Sequence, residues 1–297
     1  MSTEQQQQQQ PSEPQPQQQQ KDEDGGAAAA EAPVQAWVLS VASWAPKDAV
    51  RARLEEGLQP EEKERVRKFR FEVDRNRALA GRVMTREMAA KMLSVAPAMI
   101  VLQRTEMGKP FVAQPDPGSF SFNLSHHGDW VVLMAHPSRC VGVDIMKYEN
   151  PKGSRSIEDF FTTMRSSFTP GEWERIRLGD RDDALGSAHL QRFYKYWSLK
   201  EAYLKAIGIG IGFGLQRASF FLDETSGLAQ LDLDGERDTK FTFRLSELDS
   251  EHCVAVAIET SPKDANLGPS VVWTRMNAIE TNDEGRAILI PSKEASS

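Results

Sequence analysis

Only two cysteines, Cys140 and Cys253, occur in 297 residues. That excludes a disulfide framework and the paired spacing of a metal knuckle. A reducing compartment is expected, with the cytoplasm as the default. No stretch approaches the ~18 consecutive apolar residues that a membrane helix needs, so no membrane association is expected. The basic-then-apolar pattern of a secretory signal is missing as well, and secretion is not expected. Cations are outnumbered, with a formal net charge of −7. Without surplus Lys and Arg to neutralise phosphates, general nucleic-acid binding is not expected. Local basic clusters can still hold one small polyanion.

What is present is the composition of a soluble protein, 39% hydrophobic and 27% charged, long enough for one large domain or two ordinary ones. Residues 1–33 read as a disordered tail, with two glutamine runs, a short acidic stretch and Gly25–Gly26 before alanines. Such a segment buries too little apolar surface to offset the entropy of ordering. Folded sequence begins with the strand-like residues 36–41. Pro60 followed by acids reads as a helix start, since proline suits the first turn and carboxylates face the positive helix end. A longer helix is expected from about Asp74 to Leu93, where Leu79, Val83, Met84, Met88 and Met92 recur at helical spacing. The second half opens near Phe120. A strand is expected to end in Asn123–His126. Val131–Met134 and Cys140–Ile145 read as a pair of strands joined by a hairpin turn at His136–Arg139. Then follow a proline-started helix at Thr169–Arg177, a strong helix from Gln191 to Ile207 stopped by Gly208, and strands at Phe241–Leu245 and Cys253–Ile258. Val271–Arg275 is expected to add an edge strand.

The segments Pro60–Arg67 and Pro170–Arg177 share the pattern P-x-E-x-E-R-(V/I)-R. Either two helix starts coincide by chance, or the chain is a duplicated α+β unit related by a pseudo-twofold, with a site in the cleft between halves.

Two segments carry acids suited to phosphate chemistry. In strand 141–146, Val141, Val143 and Ile145 share one face and Gly142, Asp144 and Met146 the other. That face offers a carboxylate beside a glycine expected to leave room for a ligand. In the helix, Trp197, Glu201 and Lys205 fall at i, i+4, i+8 beside an apolar stripe of Phe193, Leu204 and Ile207. Read singly, Asp144 is an exposed strand-end acid and Glu201–Lys205 an ordinary surface pair. Together, two carboxylates plus water suit Mg²⁺, which favours few carboxylates and substrate phosphates, and the lysine can neutralise a leaving phosphate. Arg104-Thr105-Glu106-Met107-Gly108-Lys109 sets cations around a glycine, and Asn123-Leu124-Ser125-His126 clusters donors. Several phosphate-binding segments beside a metal pair point to a ligand with more than one phosphate.

With Phe122–His126, Val141–Asp144 and Trp197–Ala206 in this order and separation, the sequence resembles the 4′-phosphopantetheinyl transferases. The likeness is to the two-lobed, surfactin-synthetase-activator class, and most of all to its animal-type aminoadipate-semialdehyde dehydrogenase phosphopantetheinyl transferases. It covers most of residues 55–260 and leaves out the tail and the C-terminus. The resemblance implies an α+β fold of two similar lobes with coenzyme A in the cleft. The division expected is a tail (1–33), an N-terminal lobe (34–119), a C-terminal lobe (120–262) bearing the motifs, and an extension (263–297). It implies Mg²⁺ on Asp144 and Glu201, Glu201 as base for the acceptor serine, and Lys205 on the leaving adenosine 3′,5′-bisphosphate. Arg65, the loop Arg104, Thr105, Glu106, Met107, Gly108 and Lys109, and Asn123, Leu124, Ser125 and His126 would hold the nucleotide and its phosphates, with His126 on a phosphate. Many bacterial relatives carry a third acid where Met146 stands, so a metal shell with fewer protein ligands and more water is expected. The acceptor implied is an apo carrier protein or carrier domain, met by a basic or apolar rim for which Phe160, Phe161, Met164, Arg165 and Phe168 are candidates unless they are core. A chain holding both halves of its own cleft is expected to act as a monomer. Two rivals remain at this point: another Mg²⁺-dependent phosphate enzyme, such as a nucleotidyl transferase or nuclease, and a non-enzymatic interaction protein suggested by the glutamine-rich tail.

Overall fold

The computed structural model describes residues 32–151, 153, 156–179, 188–261 and 270–292. The disordered tail expected over 1–33 falls almost wholly outside them. In chain order the elements are β1 (Val34–Ser40), α1 (Asp48–Glu56), α2 (Pro60–Arg67), α3 (Glu72–Leu93), β2 (Val101–Arg104), β3 (Pro110–Gln114), β4 (Ser121–His127), β5 (Trp130–His136) and β6 (Val141–Lys147). They continue with α4 (Ile157–Thr163), α5 (Pro170–Ile176), α6 (Ala188–Ile207), β7 (Ala218–Leu222), β8 (Leu228–Leu233), β9 (Glu236–Asp249), β10 (His252–Glu259), β11 (Val271–Thr281) and β12 (Ala287–Pro291).

The strands form two five-stranded sheets, β12-β11-β1-β5-β4 and β6-β10-β9-β8-β7, and the hairpin β2-β3. The central strands read as nearly unbroken apolar runs because both of their faces are buried. Along β1 and β5, Trp37, Leu39, Val131 and Leu133 turn to a core shared with α3, while Ala36, Val38, Val132 and Met134 turn to a core between the sheets. Along β10, Cys253, Ala255 and Ala257 turn to a core with α6, while Val254, Val256 and Ile258 meet the first sheet's residues. The layers therefore run helix, sheet, sheet, helix.

The repeated pattern is a structural duplication. Gln59 and Thr169 N-cap α2 and α5, and the glutamate three residues on, Glu62 or Glu172, closes a capping box with its cap. Each glutamate is buried and meets a cation from the next long helix: Arg86 lies 3.0 Å from Glu62 and Lys200 2.9 Å from Glu172. Each cation then donates to two backbone carbonyls beyond its helix, Arg86 to Pro97 and Ile100, Lys200 to Leu215 and Ala218.

Sheet pairing redraws the expected lobe boundaries. β4 and β5 belong to the first sheet, so the division falls after His136, not at 119/120. His136–Arg139 is no hairpin: it carries the chain from one sheet to the other. β11 is not an edge strand, since it lies between β12 and β1 and pairs with β1 in parallel. The C-terminal extension thus completes the first sheet. Such pairing joins chain ends that share no local signal.

One further contact joins the lobes. β6 is an edge strand, and its N–H groups at Val141, Val143, Ile145 and Lys147 point away from β10. They are accepted by side chains of β4: Ser121 Oγ (3.3 Å), Asn123 Oδ1 (2.9 Å), Ser125 Oγ (3.3 Å) and His127 Nδ1 (2.8 Å). Alternate residues of one edge strand thereby satisfy the exposed backbone of another.

Candidate active site

Gly142 sets the distance between β6 and α6. A Cβ there would sit 2.0 Å from the Ala202 carbonyl oxygen and 2.5 Å from the Ala206 nitrogen. The space a side chain would fill is taken by the helix backbone, not by a ligand. This close approach brings Asp144, on the same face as Gly142, against Lys205 of α6 and into the field of Glu201. Lys205 Nζ donates to Asp144 Oδ1 at 2.5 Å, to Ser125 Oγ at 2.9 Å and to the Val143 carbonyl at 3.3 Å. Ser125 Oγ in turn donates to Asp144 Oδ1 at 2.9 Å. Asp144 is 4% exposed, and its Oδ2 is buried without a hydrogen-bond partner. One turn before Lys205, burial pushes the Glu201 carboxyl above its usual range. The negative charge of Asp144 adds to the rise and Lys205 opposes it.

Two acids of one site, one with an orphaned oxygen, suit a hard divalent cation. Among the described residues no cluster of three or more His, Cys, Asp or Glu forms. Met146 packs against the α6-side core and supplies no third carboxylate.

Two cavities open on either side of Leu124. One is lined by Met107, Gly108, Lys109, Asn123, Glu201 and Lys205. The other is lined by Arg65, Arg77, Arg82, Arg104 and His126, with Phe69 at its wall. In the second cavity the cations crowd one another. Burial lowers the Arg104 pKa first and Arg65 lowers it further; Arg82 is depressed by burial, with Arg104 and Arg65 adding to the effect. Burial likewise pushes the His126 imidazole down, followed by the charges of Arg77 and Lys205. The nearby acids are already engaged, Glu61 with Arg65 at 2.8 Å and Glu62 with Arg86 at 3.0 Å. The remaining positive charge is what a polyanion would neutralise.

The β2–β3 turn is built from its own backbone. Thr105 N–H donates to the Lys109 carbonyl (2.9 Å), Gly108 N–H to the Thr105 carbonyl (2.8 Å), and Arg104 to the Gly108 carbonyl (2.8 Å). Gly108 takes φ 83°, which a side chain would disfavour. Lys109 Nζ reaches across to the Ala206 carbonyl at 2.7 Å, at the C-terminal end of α6 where cations are favoured.

Of the residues expected at the site, Arg65, Arg104 and His126 share one cavity; Met107, Gly108, Lys109, Asn123, Glu201 and Lys205 share the other; and Leu124 lines both. Asp144 and Ser125 lie beneath them. Thr105 and Glu106 line neither cavity. β4 runs on to His127, so Asn123–His126 lies within a strand and not at its end. Arg77 and Arg82 were not anticipated. The signal was there: Ala78, Gly81 and Thr85 leave a small-residue face on α3 beside them. Phe161 and Phe168, two of the rim candidates, are core residues, 2% and 1% exposed, and Phe160 stacks edge-on against Phe193 at 4.7 Å.

Residues 42–138 match the family described as 4′-phosphopantetheinyl transferase, N-terminal, and residues 140–257 match the 4′-phosphopantetheinyl transferase superfamily. The two matches meet where the chain passes from β5 to β6. A phosphopantetheinyl transferase of Thraustochytrium sp. is 71% identical over 262 residues, spanning 88% of this chain and 91% of the relative. The L-aminoadipate-semialdehyde dehydrogenase-phosphopantetheinyl transferase of Rattus norvegicus is 42% identical over 75% of this chain and 74% of its own. A 4′-phosphopantetheinyl transferase of Bacillus subtilis is 31% identical over 69% of this chain and 83% of its own.

Proposed function

We infer the reaction from one premise: the chain belongs to the 4′-phosphopantetheinyl transferase superfamily. It transfers the 4′-phosphopantetheine group of coenzyme A to a serine of an apo carrier protein and releases adenosine 3′,5′-bisphosphate. The observation that carries the assignment of residues is the meeting of three elements at one point. Ser125 of β4, Asp144 of β6 and Lys205 of α6 are within hydrogen-bond distance of one another, and Glu201 lines the cavity beside them.

A serine hydroxyl is a weak nucleophile near neutral pH and needs a positioned base. Glu201 fills that role, directly or through a water, because burial and the charge of Asp144 raise its proton affinity toward working pH. The serine oxygen attacks the phosphorus that carries pantetheine. Its proton passes to Glu201, and the bond to the leaving nucleotide phosphate breaks. Lys205 compensates the charge that develops there, shifting one of its three hydrogen bonds from the protein to a phosphate oxygen. Asp144 and Glu201 would hold Mg²⁺, and the buried unpartnered Oδ2 of Asp144 fits that role. When bound, the ion would withdraw charge from the coenzyme A diphosphate. Arg65, Arg82, Arg104 and His126 would hold the phosphate-bearing nucleotide end, and Met107, Gly108 and Lys109 of the β2–β3 turn would border the diphosphate.

The enzyme is read as a cytoplasmic monomer. Both cysteines are free thiols, which supports a reducing compartment. One chain supplies both walls of the cleft, which supports action as a single copy. No helix of the described residues is long and apolar enough to cross a membrane.

The test is incubation with coenzyme A, Mg²⁺ and a panel of apo carrier domains, read by mass spectrometry. Gain of a phosphopantetheine mass on the carrier serine is expected, and loss of that gain with a chelator. An unmodified panel would overturn the reading.

A further inference from the structure

α3 has a cavity on each of two flanks. Ala78, Gly81, Arg82 and Thr85 face the one read as the nucleotide cavity, whereas Val83 and Glu87 line another that the transfer does not use. Its remaining walls come from the end of α1, the turn after α3 and the β11–β12 turn, with Leu54, Leu58, Pro97 and Ala98 among them. The volume is about 420 Å³, within the range of small-molecule pockets and well above the ~150 Å³ that takes a single aromatic ring. The lining is mostly apolar, and its charged groups are engaged or exposed with one exception. Arg86 donates to Gln59, to Glu62 and to the Pro97 and Ile100 carbonyls. Arg286 is exposed and held by Glu284 at 2.6 Å. Arg53 is exposed at the rim, where water and salt screen its charge. The exception is Glu87. It is half-buried, and among the described residues no hydrogen bond or ion pair holds it. The other acids of α3 are both paired, Glu72 with Arg51 at 2.9 Å and Asp74 with Arg77 at 2.6 Å. Burial pushes the Glu87 carboxyl above its usual range, and the already engaged Arg86 opposes the rise.

We propose that this hollow is a second ligand site, which takes a small molecule with an apolar body and one cationic nitrogen. The body would lie on Leu54, Leu58, Val83 and Pro97, and the nitrogen on the Glu87 carboxylate. The proposal does not depend on the transferase reading. Charge selects the class of ligand. A neutral apolar molecule would take the carboxylate further from water and give it no partner, which is unfavourable. An anion would meet the negative charge of Glu87 directly. A cation compensates the carboxylate in the place where the protein itself supplies no free positive group, while the hydrocarbon around it is removed from water. The site lies on a different flank of α3 from the cavity of Arg65, Arg82 and Arg104, so one ligand need not displace the other.

Phenethylamine, phenethyl alcohol and phenylpropionate share a phenylethyl body and differ in the charge of the head at neutral pH. Each is titrated into the full-length protein by calorimetry, with and without saturating coenzyme A. The amine is expected to bind about tenfold more tightly than the alcohol, the worth of a hydrogen bond to a charged group, with the acid weakest and coenzyme A without effect on the amine. Glu87→Gln should lower the amine to the affinity of the alcohol and leave the alcohol within about twofold. Ala98→Trp places a bulky side chain at an exposed position of the wall. It should block all three probes, and it keeps the test decisive should Glu87→Gln disturb the fold. An amine that does not bind, or binds no more tightly than the alcohol, would overturn the proposal. So would unchanged amine affinity in either variant, or displacement of the amine by coenzyme A.

Discussion

Lys200 and Glu172 face each other at 2.9 Å with side-chain exposures of 1% and 0%. Lys200 directly precedes Glu201, the proposed base, on α6. It bolts α6 to the N-terminus of α5 and, through the Leu215 and Ala218 carbonyls, to the segment entering β7. Desolvating two charges is costly, and the carbonyls and the capping box supply the compensating hydrogen bonds.

Lys200→Met leaves the Glu172 carboxylate buried without its cation and should destabilise the protein by about 3–5 kcal/mol. The double variant Glu172→Leu with Lys200→Met removes both charges and should recover a good part of the loss. Urea unfolding of the three proteins measures this. A double variant no more stable than the single one would mean that capping, not charge, is what Glu172 contributes.

The α6 motif and Asp144 were legible because their chemistry is written in side chains at helical and strand spacing. The duplicated helix starts were legible too, but their partners were not. Arg86 and Lys200 sit on later helices, and nothing local marks which cation meets which acid. The joining of β4 to β6 was hidden for another reason. Its acceptors are side chains, Ser121 to His127, but its donors are backbone N–H groups, which every residue carries. In sequence Gly142 suggests room for a ligand, because a missing side chain does not say what fills its place. β11 reads as an edge strand from sequence because its partner β1 lies at the far end of the chain, where no local signal points to it.

Gly142→Ala tests the closeness of β6 and α6. The added methyl would fall 2.0 Å from the Ala202 carbonyl oxygen and 2.9 Å from the Ala206 methyl, so the helix must move away. A cost of about 1–3 kcal/mol in stability is expected. Turnover should fall by more than stability alone explains, because Glu201 and Lys205 ride on the displaced helix. Full activity at reduced stability would show that the site tolerates the shift.

Arg82→Gln tests the second cavity. Arg82 sits half-buried, its charge disfavoured by burial, favoured by Glu62 and opposed by Arg104 and Arg65. Removing one of three crowded guanidiniums should leave the thermal midpoint unchanged or slightly raised. Coenzyme A should bind about tenfold more weakly, because a charge-assisted contact is lost, and the salt dependence of binding should flatten. Calorimetry at two ionic strengths reads both. Unaltered affinity would remove Arg82 from the binding surface.

Glu201→Gln yields opposite outcomes for activity and stability. Without its base the enzyme should lose about 10²- to 10⁴-fold in kcat while still binding coenzyme A. Stability follows from the direction of the pKa shift. Burial first, and Asp144 second, raise the folded-state pKa of Glu201 above its unfolded value. The native state therefore holds the proton more tightly than the unfolded chain. That contribution to stability is fully present below the unfolded pKa and is lost as pH rises through the folded one. Above the raised value the wild type carries a half-buried charge that glutamine avoids. With a chelator present, Glu201→Gln should melt higher than wild type at neutral pH. The gap should narrow as the pH falls and close below about pH 4, where glutamate is protonated in both states. Equal melting curves at neutral pH would mean that the carboxylate is solvated well enough to cost nothing. In that case its proton affinity would not be raised, and the assignment of Glu201 as the base would lose its physical support.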